Sequence, residues 1–155
     1  MAIIGVTGSV GQEFVQSLHN HPWFEVTQIA ASERTAGKKY LDAIRDANGI
    51  VAWDVGGEIP EYIKQMTVLT IDEVDISQLV LIFSAVESVA ARDIETKFAK
   101  DLPVISTSSA YRYEEDVQFL SQVSMTTKQN FLKFKRRIGI GKVGLLHYQI
   151  VLQLV

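Results

Sequence analysis

Ala2-Ile3-Ile4-Gly5-Val6-Thr7-Gly8-Ser9-Val10-Gly11 decides the reading of this chain. The short apolar run at residues 2–6 is closed by Gly8 and reads as a buried strand. Phe14, Val15 and Leu18 follow at helical spacing, which predicts a helix over residues 11–18. Three glycines spaced G-x-x-G-x-x-G stand between them. Glycine permits a tight turn and lets the backbone approach a ligand closely. The helix behind the turn offers free N–H groups and the positive end of its dipole, which suits a phosphate. Thr7 and Ser9 add hydroxyl donors. Gly5, Thr7, Gly8, Ser9, Val10 and Gly11 are therefore candidate nucleotide-binding residues. A glycine triad by itself also fits a plain strand-to-helix turn. Its place directly after the first strand favours the phosphate cradle.

Working outward, residues 24–31 read as a second strand and the polar stretch 32–39, with Gly37, as a loop. Residues 39–48 are compatible with a short helix ending at Gly49. Residues 49–63 are irregular, and 67–71 and 79–83 read as strands. Residues 88–100 read as a helix with Ala91, Ile94 and Phe98 on its apolar side. Arg92, Glu95, Lys97 and Lys100 are assigned mostly to the other side. Residues 103–106 form a further strand. Strands and helices alternate with short connections. The expected fold is α/β: a doubly wound, mostly parallel Rossmann-type sheet with helices on both faces.

The second strand ends at Ala31, about twenty residues past the last glycine, where a ribose-reading residue belongs. Ser32-Glu33-Arg34-Thr35 stand there. Glu33 suits a free 2′-hydroxyl, as in NAD. Ser32 and Arg34 suit a 2′-phosphate, as in NADP, because a guanidinium matches phosphate in bidentate geometry. The residues alone leave both open.

Composition sets the bounds. The chain has 155 residues, 47% of them hydrophobic and 21% charged, a soluble globular balance sufficient for one ordinary domain. A net charge of -3 gives no general attraction to nucleic acid. The cluster Lys133, Lys135, Arg136 and Arg137 reads as a solvated face. No run is apolar enough to span a bilayer, and residues 1–6 do not read as a signal peptide. With no cysteine, this chain has no disulfide, thiolate metal site or cysteine nucleophile. His19, His21 and His147 read as structural rather than metal-binding. A cytoplasmic location is expected.

Further stretches carry a resemblance. Gly5-Val6-Thr7-Gly8-Ser9-Val10-Gly11-Gln12, His21-Pro22, residues 31–38, Phe83-Ser84-Ala85 and Ser106-Thr107-Ser108-Ser109-Ala110-Tyr111-Arg112 together resemble aspartate-semialdehyde dehydrogenases. Malonyl-CoA reductases share this fold and much of the pattern. The resemblance covers residues 1–117, the expected dinucleotide-binding domain. It implies an NADP-dependent, two-domain enzyme that reduces aspartyl phosphate to the semialdehyde, usually as a homo-oligomer. It implies cofactor roles for the glycine turn, for Ser32, Arg34 and Thr35, and for Ser84 and Ala85 along the cofactor cleft. Arg112 would bind the phosphate of the substrate. A non-catalytic nucleotide-binding module, or a ligand-free relic, is the competing reading.

Beyond Val117 the resemblance stops. The family continues with a proline-containing stretch, an Asn-Pro-Asn-Cys-type motif bearing the nucleophile, a catalytic histidine and a second domain. None is legible here, so no catalytic residue is assigned, and the chain is expected to be truncated, inactive alone and monomeric. Residues 118–155 form an atypical tail, expected to be frameshifted and poorly ordered; a divergent tail is the alternative. Read one nucleotide out of frame, Val117-Gln118 and Ser121-Gln122 each permit Pro. Tyr148-Gln149, Gln149-Ile150 and Ile150-Val151 then permit Pro, Asn and Cys in succession. The shifted coding DNA is expected to spell that Pro-Asn-Cys segment; any other spelling leaves the divergent tail.

Overall fold

The structure, a computed structural model, describes residues 1–111. Arg112, the expected boundary at residue 117, the tail and its basic cluster lie outside the described residues. The chain forms two compact units, Met1–Leu79 and a second that begins at Val80.

In the first unit, β1 (Ala2–Ile4) leads into α1 (Ser9–Leu18), and β2 (Gln28–Ala30) follows. Then come α2 (Tyr40–Ala43), α3 (Glu61–Lys64), β3 (Val68–Leu69) and a 3-10 turn at Ile76–Gln78. β2 is the central strand. It pairs in parallel with β1, Ile3 opposite Ile29 and Ile4 opposite Ala30, and with β3, Ile29 opposite Val68. β1 is buried at every position, which is why its sequence is continuously apolar rather than alternating. α1 buries Gly11, Gln12, Phe14, Val15 and Leu18 along one stripe. It stops at His19, and Asn20 takes a left-handed φ of 55°, which asparagine tolerates better than most residues. The His21 ring stacks on Phe24 with centroids 4.9 Å apart, and its Nδ1 accepts from the Trp23 N–H at 3.3 Å. Burial lowers the pKa of His21.

Several boundaries differ from expectation. α1 begins at Ser9, inside the glycine turn, because the turn itself feeds the helix. Only Gln28–Ala30 of the expected strand 24–31 pairs. The expected helix 39–48 is a single turn, α2. Asp46 ends it, its Oδ1 accepting from both the Asn48 and Ile50 N–H groups at 2.8 Å. A short acidic side chain thus supplies the backbone with partners that a helix would otherwise provide. The stretch expected to be irregular contains α3, which starts after Pro60, whose fixed φ suits a helix entrance.

In the second unit, β4 (Ile82–Ser84), α4 (Ser88–Ala99) and β5 (Val104–Ser106) make a strand–helix–strand crossover. β4 and β5 are parallel, Ile82 opposite Val104 and Ser84 opposite Ser106. Both strands are wholly buried. Parallel pairing joined through helices bears out the expected α/β class in each unit. Glu95 is a correction. It lies on the buried face of α4 with Ala91, Phe98 and Ala99, not on the polar side. The reason is chemical: Ser84 and Ser106 each donate to Glu95 Oε1 at 2.6 Å. The two register-paired serines put hydroxyls into a buried region, and the carboxyl group satisfies both.

Glu95→Ala would leave both buried hydroxyls without this acceptor, at about 1–3 kcal/mol for each. Urea denaturation is expected to show a loss of ~3 kcal/mol or more, and a clearly smaller loss for Glu95→Gln, whose amide oxygen still accepts. Equal losses in the two variants would mean that an amide oxygen cannot replace the carboxyl group as acceptor for the two serines, and no loss in either would refute the acceptor role.

Candidate nucleotide-binding site

The site in the first unit is built from the carboxyl ends of two paired parallel strands. β1 runs into the turn at Gly5, which has a left-handed φ of 78°. Glycine adopts that conformation without the penalty a Cβ brings. The Gly5 and Val6 N–H groups both donate to Ala30 O, at 2.8 and 3.2 Å. That pair of bonds ties the turn to the end of β2. Gly8 N–H then donates to Gly5 O at 3.2 Å, closing the turn.

The helical ladder of α1 begins where Gln12 N–H donates to Gly8 O at 2.9 Å. Ser9, Val10 and Gly11 therefore have no helical acceptor for their N–H groups. Gly8 is the N-cap, no side chain caps the helix, and no acidic residue stands in the first turn. Gly8, Ser9 and Val10 are exposed. An uncapped, uncharged, open first turn is what an anion requires of a helix.

The glycines differ in purpose. A Cβ on Gly11 would sit 2.2 Å from Gly5 O and 2.7 Å from Val6 Cα, an overlap with backbone. Gly11 is glycine so that α1 can pack on the turn. Gly8 has an ordinary φ of -80°, and a Cβ there would meet only Gly5 O at 3.7 Å. Neither conformation nor internal crowding demands glycine at 8. Its lack of a side chain leaves room on the outer side of the turn, where a bulky group would approach the backbone.

The loop carrying Ser32, Glu33, Arg34 and Thr35 leaves the end of β2. Ala31 N–H still donates to Leu69 O at 3.0 Å. Thr35 and Ala36 N–H then fold back on Ser32 O, at 3.0 and 3.2 Å. Thr35 is buried and donates its hydroxyl to that same oxygen at 3.2 Å, so it shapes the loop from inside. Ser32, Glu33 and Arg34 are exposed. Because β1 and β2 are parallel and in register, the glycine turn and this loop emerge at the same edge.

Gln12 and Tyr40 were not singled out from the sequence, yet both brace the turn. Gln12 is 1% exposed. Its Nε2 donates to Ala52 O at 2.8 Å and to Thr7 O at 3.4 Å, and its Oε1 accepts from Asp54 N–H at 2.7 Å. Tyr40 is fully buried and donates to Val6 O at 3.2 Å. Burial pushes its hydroxyl well above the ordinary tyrosine range, so it stays a donor. The available signal for Gln12 was a polar residue on the apolar stripe of α1.

In the second unit, Ser84 is buried with its hydroxyl on Glu95, and Ala85 is half-buried just beyond β4. The segment after β5 is held by serines. Ser106 Oγ accepts from Ser108 N–H and Ser108 Oγ from Ala110 N–H, both at 3.0 Å. Arg92 donates to Ala110 O at 2.6 Å and lies 5.0 Å over the Tyr111 ring. Arg112 follows, outside the described residues. Among the described residues, no three His, Asp or Glu side chains gather as metal ligands. No described helix is long and apolar enough to cross a membrane.

The different purposes of the glycines are separable by experiment. Gly11→Ala is expected to destabilise the protein by ~2 kcal/mol or more through overlap with backbone. Gly8→Ala should change stability by no more than about 1 kcal/mol. Equal losses in urea denaturation would refute the distinction.

A family model described as "Semialdehyde dehydrogenase, NAD binding domain" matches residues 1–128. The aspartate-semialdehyde dehydrogenase of Archaeoglobus fulgidus is 42% identical over 118 residues, which cover 76% of this chain and 32% of that protein. Its counterpart from Methanothermobacter thermautotrophicus is 39% identical over 117 residues, covering 76% and 32%. Among solved structures, aspartate semialdehyde dehydrogenase with NADP from Candida albicans superposes with a TM-score of 0.74 at 32% identity. That match covers 95% of this chain and 41% of the other. The chain thus spans about a third of the length of the curated relatives it matches. The uncapped glycine turn, the in-register strands and these likenesses agree: the chain belongs to the semialdehyde dehydrogenase family, of which it carries the NAD-binding domain.

Proposed function

We propose that the chain binds NADP(H), its pyrophosphate on the first turn of α1 and its 2′-phosphate at Ser32 and Arg34. One observation carries this reading. An uncapped helix start with a glycine that the fold itself does not need lies at the same sheet edge as an exposed arginine loop. The Candida albicans relative, solved with NADP, supports it. Thr7, Ser9, Val10 and Gly11 supply the amides of the backbone grip, with Thr7 and Ser9 hydroxyls as added donors. Gly5 and Gly8 shape the turn, their own N–H groups being held by Ala30 O and Gly5 O. Ser32 and Arg34 hold the second phosphate, and Thr35 maintains the loop. Ser84 and Ala85 are cofactor-binding candidates on family resemblance; with the Ser84 hydroxyl on Glu95, what they offer is backbone.

When bound, the cofactor supplies a hydride. The relatives, named aspartate-semialdehyde dehydrogenases, support aspartyl phosphate over malonyl-CoA as the family substrate. On the family resemblance alone, Arg112 is the candidate to hold its acyl phosphate. This chain, without cysteine, is proposed to bind cofactor and to perform no reduction alone, because acyl transfer to the enzyme needs a nucleophile. A net charge of -3 gives no general attraction to nucleic acid, so none is proposed as a partner; the chain is proposed to be monomeric and cytoplasmic.

A titration of the pure chain is expected to show NADPH binding at least about tenfold tighter than NADH. Arg34→Ala should abolish that preference while leaving thermal stability unchanged, since the side chain is exposed. Equal affinity for both cofactors in the unaltered chain would end the 2′-phosphate assignment. NADPH oxidation with aspartyl phosphate by the pure chain would end the binding-only one.

A further inference from the structure

The amides of the glycine turn can hold an anion only if the turn's carbonyls face away from it. We propose that Tyr40 and Gln12 are the positioning residues of the cofactor cradle, acting by drawing the Val6 and Thr7 carbonyls into the protein. This rests on the cofactor reading above and adds two residues that never touch the ligand.

Three consecutive carbonyls of the turn are accounted for. Gly5 O accepts from Gly8 N–H at 3.2 Å. Val6 O accepts from the Tyr40 hydroxyl at 3.2 Å, and Thr7 O from Gln12 Nε2 at 3.4 Å. Tyr40 and Gln12 are both buried, at 0% and 1% exposure, so the oxygens they hold face inward. A trans peptide is planar, and its C=O and N–H point in opposite directions. Turning Val6 C=O inward therefore turns Thr7 N–H outward, toward the side where Gly8, Ser9 and Val10 are exposed. The helix start aims the Ser9 and Val10 amides.

Both donors are themselves held rigidly. Tyr40 opens α2, and its own N–H donates to Met66 O at 2.9 Å. The Gln12 carboxamide is fixed at its other end by Ala52 O at 2.8 Å and Asp54 N–H at 2.7 Å. A carbonyl released from its donor in a buried turn seeks another partner, and rotation of that peptide would present oxygen to the phosphate. The loss would fall on the pyrophosphate end alone. Ser32 and Arg34 sit on a separate loop closed by its own bonds.

Tyr40→Phe and Gln12→Met remove the donors at nearly constant volume. Two probes separate the ends of the ligand: NADPH, with pyrophosphate and 2′-phosphate, and adenosine 2′-monophosphate, with only the latter. Each variant that stays folded is expected to bind NADPH about tenfold more weakly and adenosine 2′-monophosphate unchanged. Equal losses on both probes, or no loss on NADPH, would overturn the positioning role. A second measurement needs no variant. Inorganic pyrophosphate added to the unaltered chain should shift the Thr7, Ser9 and Val10 amide resonances and spare Gly8, which donates within the turn. An unmoved Thr7 amide overturns the proposal. Failure of the unaltered chain to bind NADPH overturns the cofactor reading itself, and this inference with it.

Discussion

The first unit depends on the contact between Gly11 and the turn that precedes its own helix. A single methyl group at Gly11 would stand 2.2 Å from Gly5 O, so α1 and the turn touch through backbone alone. That closeness has three consequences. It brings the start of α1 against the end of β1, so the helix dipole and free amides open at the sheet edge. It lets Gln12, one residue further on, reach Thr7 O. It also buries the turn's inner side, and buried carbonyls must then find donors.

Both units satisfy buried polar groups with a few long polar side chains. In the first, one carboxamide and one phenol reach over to backbone groups that no strand or helix can satisfy. In the second, one carboxyl group collects two serine hydroxyls from neighbouring strands. Each of these side chains is almost wholly buried, and each joins elements distant in sequence. Burying such groups is unfavourable unless every hydrogen bond is made, so they specify register and approach more than they add bulk stability. In a parallel α/β sheet the packing of interchangeable aliphatic residues leaves register underdetermined. A polar bridge does not.

What could be read from the sequence follows the same division. Buried parallel strands announce themselves as unbroken apolar runs, so β1, β4 and β5 were visible. The glycine spacing marked the turn, and α4 showed its period. The missed details are those decided by hydrogen bonds across long separations. Glu95 looked like a solvent-facing charge because its acceptor role depends on Ser84 and Ser106, which only the fold brings together. Tyr40 lies 34 residues from the carbonyl it holds. The expected helix at 39–48 was cut to one turn by Asp46, a local competition that apolar periodicity does not register. The place of Ser32 and Arg34 on an exposed loop after β2 was legible because their spacing from the glycines is set by one strand–helix–strand unit. Thr35 belonged to the same motif, but its hydroxyl shapes the loop from within.

The two grips proposed for the cofactor rest on different physics, and the difference explains why both exist. Backbone amides carry partial charges in fixed directions, need no side-chain ordering on binding, and hold any pyrophosphate alike. They cannot tell NADP from NAD. An exposed guanidinium adds a full charge and planar bidentate geometry, which suits a terminal phosphate, but its chain must be ordered and its field is screened by salt. On this reading, discrimination belongs to the exposed arginine side chain and affinity to the rigid turn. On the proposed reading, the turn does its part only while its carbonyls are held inward, so the affinity shared by both cofactors rests on two buried donors, and the choice between them on the loop.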